Sequence, residues 1–132
     1  SLDGYDEVSL TSETKVSTNN KDFIFKPADL GLNRISQQSI FGGNSIKEAA
    51  KIFVDILNLR GTKEQVNVVL ANSALAISTY KGININDAYE IAKKSLKDKD
   101  ALQALSKLIE LSRWIFLIKL LGIKFRKSTA LK

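Results

Sequence analysis

Asp6 and Glu7 stand side by side shortly after Gly4, in the opening stretch SLDGYDEVSL. Adjacent carboxylates suit Mg²⁺, which takes one or two of them, keeps several waters and completes its octahedron with substrate phosphate oxygens. In an extended strand neighbouring side chains point to opposite faces, so both acids reach one ion only where the backbone turns. Gly4 permits such a turn. A solvated acidic turn with no ligand is the other reading, and the dipeptide alone does not separate the two. Two further places could do chemistry. Gly42-Gly43-Asn44 precedes a capped helix and could cradle an anion at its N-terminus. Neither a P-loop nor a dinucleotide fingerprint is present, which favours a plain loop and cap. Asn72 sits in the middle of an apolar helix and needs hydrogen-bond partners; a structural bond to a nearby backbone group is the expected account.

Composition removes much other chemistry. The chain has no cysteine and no histidine. That excludes disulfides, thiolate chemistry, a histidine base and a histidine metal site, and with them serine-triad hydrolysis and most zinc chemistry. The 132 residues suffice for one domain with a real core. No apolar run reaches the eighteen or so residues of a membrane span. The polar, acidic start is not that of a secretory leader, and the expected compartment is the cytoplasm. The net charge of +6 is unevenly placed: all 14 acids and 14 of the 20 Lys and Arg precede residue 113. The body is therefore neutral and not a basic nucleic-acid binder; the excess lies in residues 113–132.

The elements that must position these residues are legible from periodicity. Val8–Leu10 and Thr14–Val16 alternate at period two, Asn19-Asn20 marks a turn, and Phe23–Phe25 is the returning strand. Pro27 cannot donate to a ladder and ends that strand. Residues 27–44 read as a long irregular connection of the kind that is often functional. Helical periodicity begins at Ser45, with capping-box spacing to Glu48 and an apolar stripe of Ile46, Ala49, Ala50, Phe53, Val54 and Leu57. Gly61 is placed as its terminating residue. Thr62 and Gln65 form a second capping box. The helix after them, about 63–80, carries Val66, Val69, Leu70, Ser73, Ala74 and Ile77 and is apolar on most sides, as a buried helix is. Gly82 ends it. A third helix near Asn86 turns Ala88, Ile91, Ala92 and Leu96 inward. A fourth carries Leu102, Leu105, Leu108, Ile109 and Leu111. A hairpin followed by four or five helices is an odd order for a complete domain, because two strands alone are marginal in water.

Several segments together carry a resemblance. DGYDEVSLTSETKV at Asp3–Val16 resembles the DG-x-DE-x-S-L-T segment of the anthranilate phosphoribosyltransferases. FKPADLGL at Phe25–Leu32 is similar to that family's Pro-x-Asp-Phe-Gly-Leu stretch. GGNSIKEAAKIF at Gly42–Phe53 is similar to its Gly-Gly-Asp-x-x-x-Asn-Ala segment, with Asn44 and Ala49 where Asp and Asn are usual. VVLANSALAI at Val68–Ile77 and DAYEIAKKSL at Asp87–Leu96 resemble its next two helices. The order and spacing hold from about residue 1 to 111.

The resemblance implies an α/β parent enzyme that moves phosphoribosyl from phosphoribosyl pyrophosphate to the anthranilate amine, in tryptophan biosynthesis. It implies Mg²⁺ as cofactor, with the family's acidic pair falling on Asp6 and Glu7, and a homodimeric parent. Residues 1–112 would be the C-terminal part of its glycosyltransferase α/β domain. The family's Gly-Thr-Gly-Gly-Asp phosphate loop, its Lys-His-Gly-Asn segment and its anthranilate arginine are absent. The isolated chain is therefore expected to be inactive, to bind the ion weakly, and to self-associate through apolar surface that upstream strands would cover. A pyrimidine nucleoside phosphorylase shares the architecture, but its motifs are not found here. A non-catalytic binding module, using the basic tail on nucleic acid, is the reading from a different class. No membrane partner is expected. Beyond Ser112 the resemblance stops, and three readings of residues 113–132 stand open: a helix extension over exposed core, a basic amphipathic surface anchor, or a non-native extension.

Overall fold

The computed structural model describes residues 1–19 and 21–120, with side chains as far as Arg113. Two short strands, β1 (Thr14–Ser17) and β2 (Asp22–Phe25), pair antiparallel with Thr14 opposite Phe25 and Ser17 opposite Asp22. Thr18 and Lys21 close the hairpin: the Thr18 amide donates to the Lys21 carbonyl at 3.0 Å. Asn20 of the expected turn lies outside the described residues. Pro27 does end the strand. It opens a 3-10 turn over Pro27–Leu30, where its fixed φ suits the first position. The Asp29 carboxylate accepts from the Lys26 amide at 2.8 Å, and Gly31 leaves the turn at φ 66°. A second 3-10 turn, Gln37–Ile40, divides the rest of the connection.

Four helices follow: α1 (Ile46–Leu57), α2 (Lys63–Lys81), α3 (Ile85–Lys97) and α4 (Asp100–Leu120). The caps form largely as the sequence expects. Ser45 Oγ accepts from the Glu48 amide, and Thr62 with Gln65 makes a full reciprocal box. Gly82 ends α2 in the left-handed conformation at φ 65°.

The end of α1 departs from expectation. The left-handed residue is Leu59, at φ 61°, not Gly61. The Leu59 amide donates to the Ile56 carbonyl at 3.0 Å and the Arg60 amide to the Asp55 carbonyl at 2.7 Å. This is a Schellman closure around a leucine. Gly61 serves close approach instead: a Cβ there would stand 2.7 Å from Cγ1 of Ile56.

Two small clusters make the core. The first holds Val8, Leu10, Phe25, Leu30 and Ala71; the second holds Leu57, Leu70, Ala92 and Leu96. Tyr89 packs against both. Val8, Ser9 and Leu10 do not alternate and are not a strand: all three are buried, and Leu10 has φ 62°. A left-handed backbone sends successive side chains the same way, which period-two reasoning cannot anticipate. α2 has Leu70, Ala71 and Ala74 buried, while most of its other apolar residues are half-buried. No residue from Glu64 to Leu75 is exposed, so the middle of the helix is at least partly covered all round, as the reading of a buried helix expects.

The outer helices differ more from their patterns. Of the α1 stripe, Leu57 is buried with Ile56, but Ile46, Ala49, Ala50, Phe53 and Val54 are exposed. On α3, Ala88, Ala92 and Leu96 turn inward as expected, whereas Ile91 is exposed. On α4, Leu102 and Leu105 are half-buried, and Leu108, Ile109 and Leu111 are exposed. The helical backbone of α4 runs on through Leu120. The side chains beyond Arg113, which would show whether the tail covers core or presents an amphipathic face, lie outside the described residues.

Candidate functional site

Residues 1–12 form a run of turns rather than a strand, with Gly4 at φ 100°. Asp6 and Glu7 themselves lie at a bend of that run, not in an extended strand. Two backbone bonds close the run against the rest of the chain. The Leu2 amide donates to the Glu13 carbonyl at 2.8 Å, and the Ile35 amide donates to the Leu10 carbonyl at 3.1 Å. The buried side chains of Val8 and Leu10 anchor it from below.

Asp6 and Glu7 are brought together on one cleft of about 340 Å³, lined also by Tyr5, Val8, Ser9, Ile40 and Val68. Both carboxylates are exposed. Neither has an ion-pair or hydrogen-bond partner among the described residues. Asp3, three residues earlier, is engaged differently. The Thr11 hydroxyl donates to its carboxylate, and hydrogen bonds from Thr11 and then Ser1 hold that carboxyl below its ordinary 3.8. Thr11 is in turn bonded to Ser9 through their hydroxyls at 2.7 Å. The Ser9 and Thr11 hydroxyls therefore brace the turn through Asp3 and leave the acidic pair uncommitted. Sequence reasoning did not single out this brace; short hydroxyl residues two apart beside an Asp are its signal.

The donor set fits Mg²⁺. Two carboxylates are hard oxygen donors in the number that ion takes from protein. No group of three or more His, Cys, Asp and Glu that could hold an ion occurs among the described residues. Asp6 and Glu7 would therefore share the ion with water and with phosphate oxygens.

The other two candidates resolve into structural roles. At the α1 N-terminus the chain supplies its own anion: the Glu48 carboxylate accepts from the Asn44 amide at 2.6 Å. The loop there is a cap, and a Cβ on Gly43 would stand 2.7 Å from Cβ of Glu48. Asn72 is fully engaged with backbone. Its Nδ2 donates to the Val68 carbonyl one turn back at 2.9 Å and to the Val8 carbonyl at 2.8 Å. Its Oδ1 accepts from the Val8 amide at 3.1 Å. A bond one turn back is within reach of sequence reasoning; a bond across 64 positions is not. A larger groove of about 680 Å³ between α2 and α3 is lined by Tyr89, Lys93 and Lys97 among others and contains neither acid.

Comparison with known proteins places these features in a family. Residues 1–102 match the glycosyl transferase family, a/b domain. The chain belongs to that family. It is 48% identical over 112 residues to the anthranilate phosphoribosyltransferase of Flavobacterium psychrophilum, covering 85% of this chain and 34% of that protein. It is 46% identical over 112 residues to the enzyme of the same name from Flavobacterium johnsoniae, with the same shares covered. The corresponding enzyme of Phocaeicola vulgatus is 43% identical over 112 residues, 84% of this chain and 34% of its own. The chain thus spans about a third of the length of the curated relatives it matches. No helix among the described residues is long and apolar enough to cross a membrane.

Proposed function

We propose that this chain is the C-terminal part of an anthranilate phosphoribosyltransferase, which transfers phosphoribosyl from phosphoribosyl pyrophosphate to anthranilate. The observation that carries the reading is the pair Asp6 and Glu7: two uncommitted carboxylates on one cleft, in a segment turned at Gly4 and matching this family. When bound, Mg²⁺ supplies charge neutralisation to the departing pyrophosphate. The chain's own part is to hold two carboxylate oxygens toward the ion and to keep Asp3 out of competition through Thr11. The remaining two-thirds of the enzyme would bring the phosphate loop and the anthranilate site. It would also cover the apolar faces that α1 and α4 leave open, and supply the helical domain of a homodimer. Transfer then requires the assembled protein, in the cytoplasm, and not this chain alone.

The test is a hybrid in which this chain replaces its counterpart in the Flavobacterium psychrophilum enzyme. The hybrid is expected to consume anthranilate in the presence of phosphoribosyl pyrophosphate and Mg²⁺, whereas the isolated chain does not. Asp6→Asn with Glu7→Gln should lower turnover by about 100-fold or more, the scale for losing a group that stabilises developing charge. A soluble hybrid without turnover, or a double variant with unchanged turnover, would remove the reading.

A further inference from the structure

Asn72 is an expensive residue where it stands. Asparagine in a helix interior is less favourable than alanine, and its neighbours on the helix are mainly apolar. What it gains is specific. A carboxamide carries an acceptor and two donors in one plane, as a peptide group does. Asn72 uses all three: its oxygen takes the Val8 amide hydrogen, one N–H goes to the Val8 carbonyl, and the other goes to the Val68 carbonyl of its own helix. The bond to Val68 fixes the side chain on α2. The pair to Val8 then grips the opening segment from both sides of one residue, as a neighbouring strand would.

Val8 directly follows Glu7 and is 4% exposed. The Val8 amide lies in the peptide plane that leaves Glu7 and its carbonyl in the plane that follows, so Asn72 holds the chain on both sides of Val8. The direction of the Glu7 side chain, and of Asp6 before it, is set from the first of these planes. Val68, whose carbonyl anchors Asn72, lines the same cleft as the two acids. Neither acid has a side-chain partner among the described residues, so the backbone is what orients them.

We propose that Asn72 is a positioning residue for the acidic pair, setting the carboxylates of Asp6 and Glu7 for a divalent cation through its two bonds to Val8. The proposal rests on the reading of that pair as metal ligands. Aspartate at 72 would keep the acceptor for the Val8 amide and lose both donors. Leucine would lose everything and leave the buried Val8 groups unpaired.

The test uses the full 132-residue chain with Mn²⁺ alone as a paramagnetic probe. Two quantities are read by NMR: the Mn²⁺ concentration that half-broadens the Asp6 and Glu7 amides, and the exchange rate of the Val8 amide hydrogen. Leu96→Ala, which truncates the second core cluster and does not line the cleft, controls for loss of stability. Asn72→Leu is expected to raise the Mn²⁺ concentration required by about 10-fold, as loss of an orienting partner does, and to speed Val8 exchange. Asn72→Asp should fall between Asn72→Leu and the parent, and Leu96→Ala should stay within about twofold of the parent. If Asn72→Leu does not fold, the same shift in Asn72→Asp carries the test. Parent-like Mn²⁺ broadening in a folded Asn72 variant, while Asp6→Asn with Glu7→Gln abolishes it, would overturn the positioning role and leave the metal reading standing. Broadening undiminished in the double acid variant would overturn both.

Discussion

Val8 and Leu10, in an irregular segment without a clean pattern, are 4% and 0% exposed; Ile46 and Phe53, on a well-formed amphipathic stripe, are 92% and 50% exposed. Val8–Leu10 are buried because β2, the 3-10 turn and α2 close on them, and because Asn72 and Ile35 satisfy their backbone. The first helix has its cap, its periodicity and its terminal closure, yet nothing described in the chain covers most of its apolar face. Amphipathicity records that a surface is needed. It does not say that the surface lies in the same stretch of chain. α4 repeats the lesson at Leu108, Ile109 and Leu111.

The largest expected difference comes from making one substitution in both regions. Phe25 is 1% exposed, and Phe25→Ala should cost about 3–5 kcal/mol in urea denaturation. Phe53→Ala should stay within about 0.5 kcal/mol and should lower any concentration-dependent association seen by sedimentation. Equal losses would break the contrast, since they would mean that the α1 face is buried in solution. A smaller effect sits just past the end of α1. Leu59 holds a left-handed conformation and is 50% exposed. Leu59→Gly should therefore stabilise by about 1 kcal/mol, read as a raised midpoint, because glycine lacks the Cβ conflict. No gain would show that the leucine side chain has a contact worth its backbone cost.

The smallest effect is electrostatic and lies on the α1 side. Hydrogen bonds from Lys51 and then Arg60 hold the Asp55 carboxyl below its ordinary 3.8. A carboxyl held below its unfolded value stabilises the fold at pH above that value. The contribution is complete above the unfolded value and is lost as pH falls through the folded one. Asp55→Asn should therefore flatten the acid limb of stability below about pH 4 and leave a small uniform loss at neutral pH. An acid limb unchanged by Asp55→Asn would assign it elsewhere; Asp22 and Asp98, each also held low by a lysine, are the next groups to change.

Much of the chain was determined by the sequence itself, because the physics involved is local. Caps at Ser45 and Thr62, the stop at Pro27, the left-handed glycine at 82 and the inward row Ala88, Ala92 and Leu96 follow from residues within one turn of each other. The absence of cysteine and histidine, and the neutral body, were equally plain. So was the acidic pair after Gly4, although the role proposed for it rests on the order of several segments and not on two letters. Tertiary structure decided the rest. That three consecutive residues, Val8 to Leu10, could all be buried depended on a left-handed leucine held by neighbours from other elements. That Ile46, Phe53 and Ile91 stay exposed depended on which faces found a partner. That Asn72 grips Val8 depended on two segments 64 positions apart meeting at hydrogen-bond distance, which no local pattern encodes. Local rules fix the conformation of a turn or a cap, whereas burial and long-range polar pairing are properties of two surfaces and exist only once both are in place.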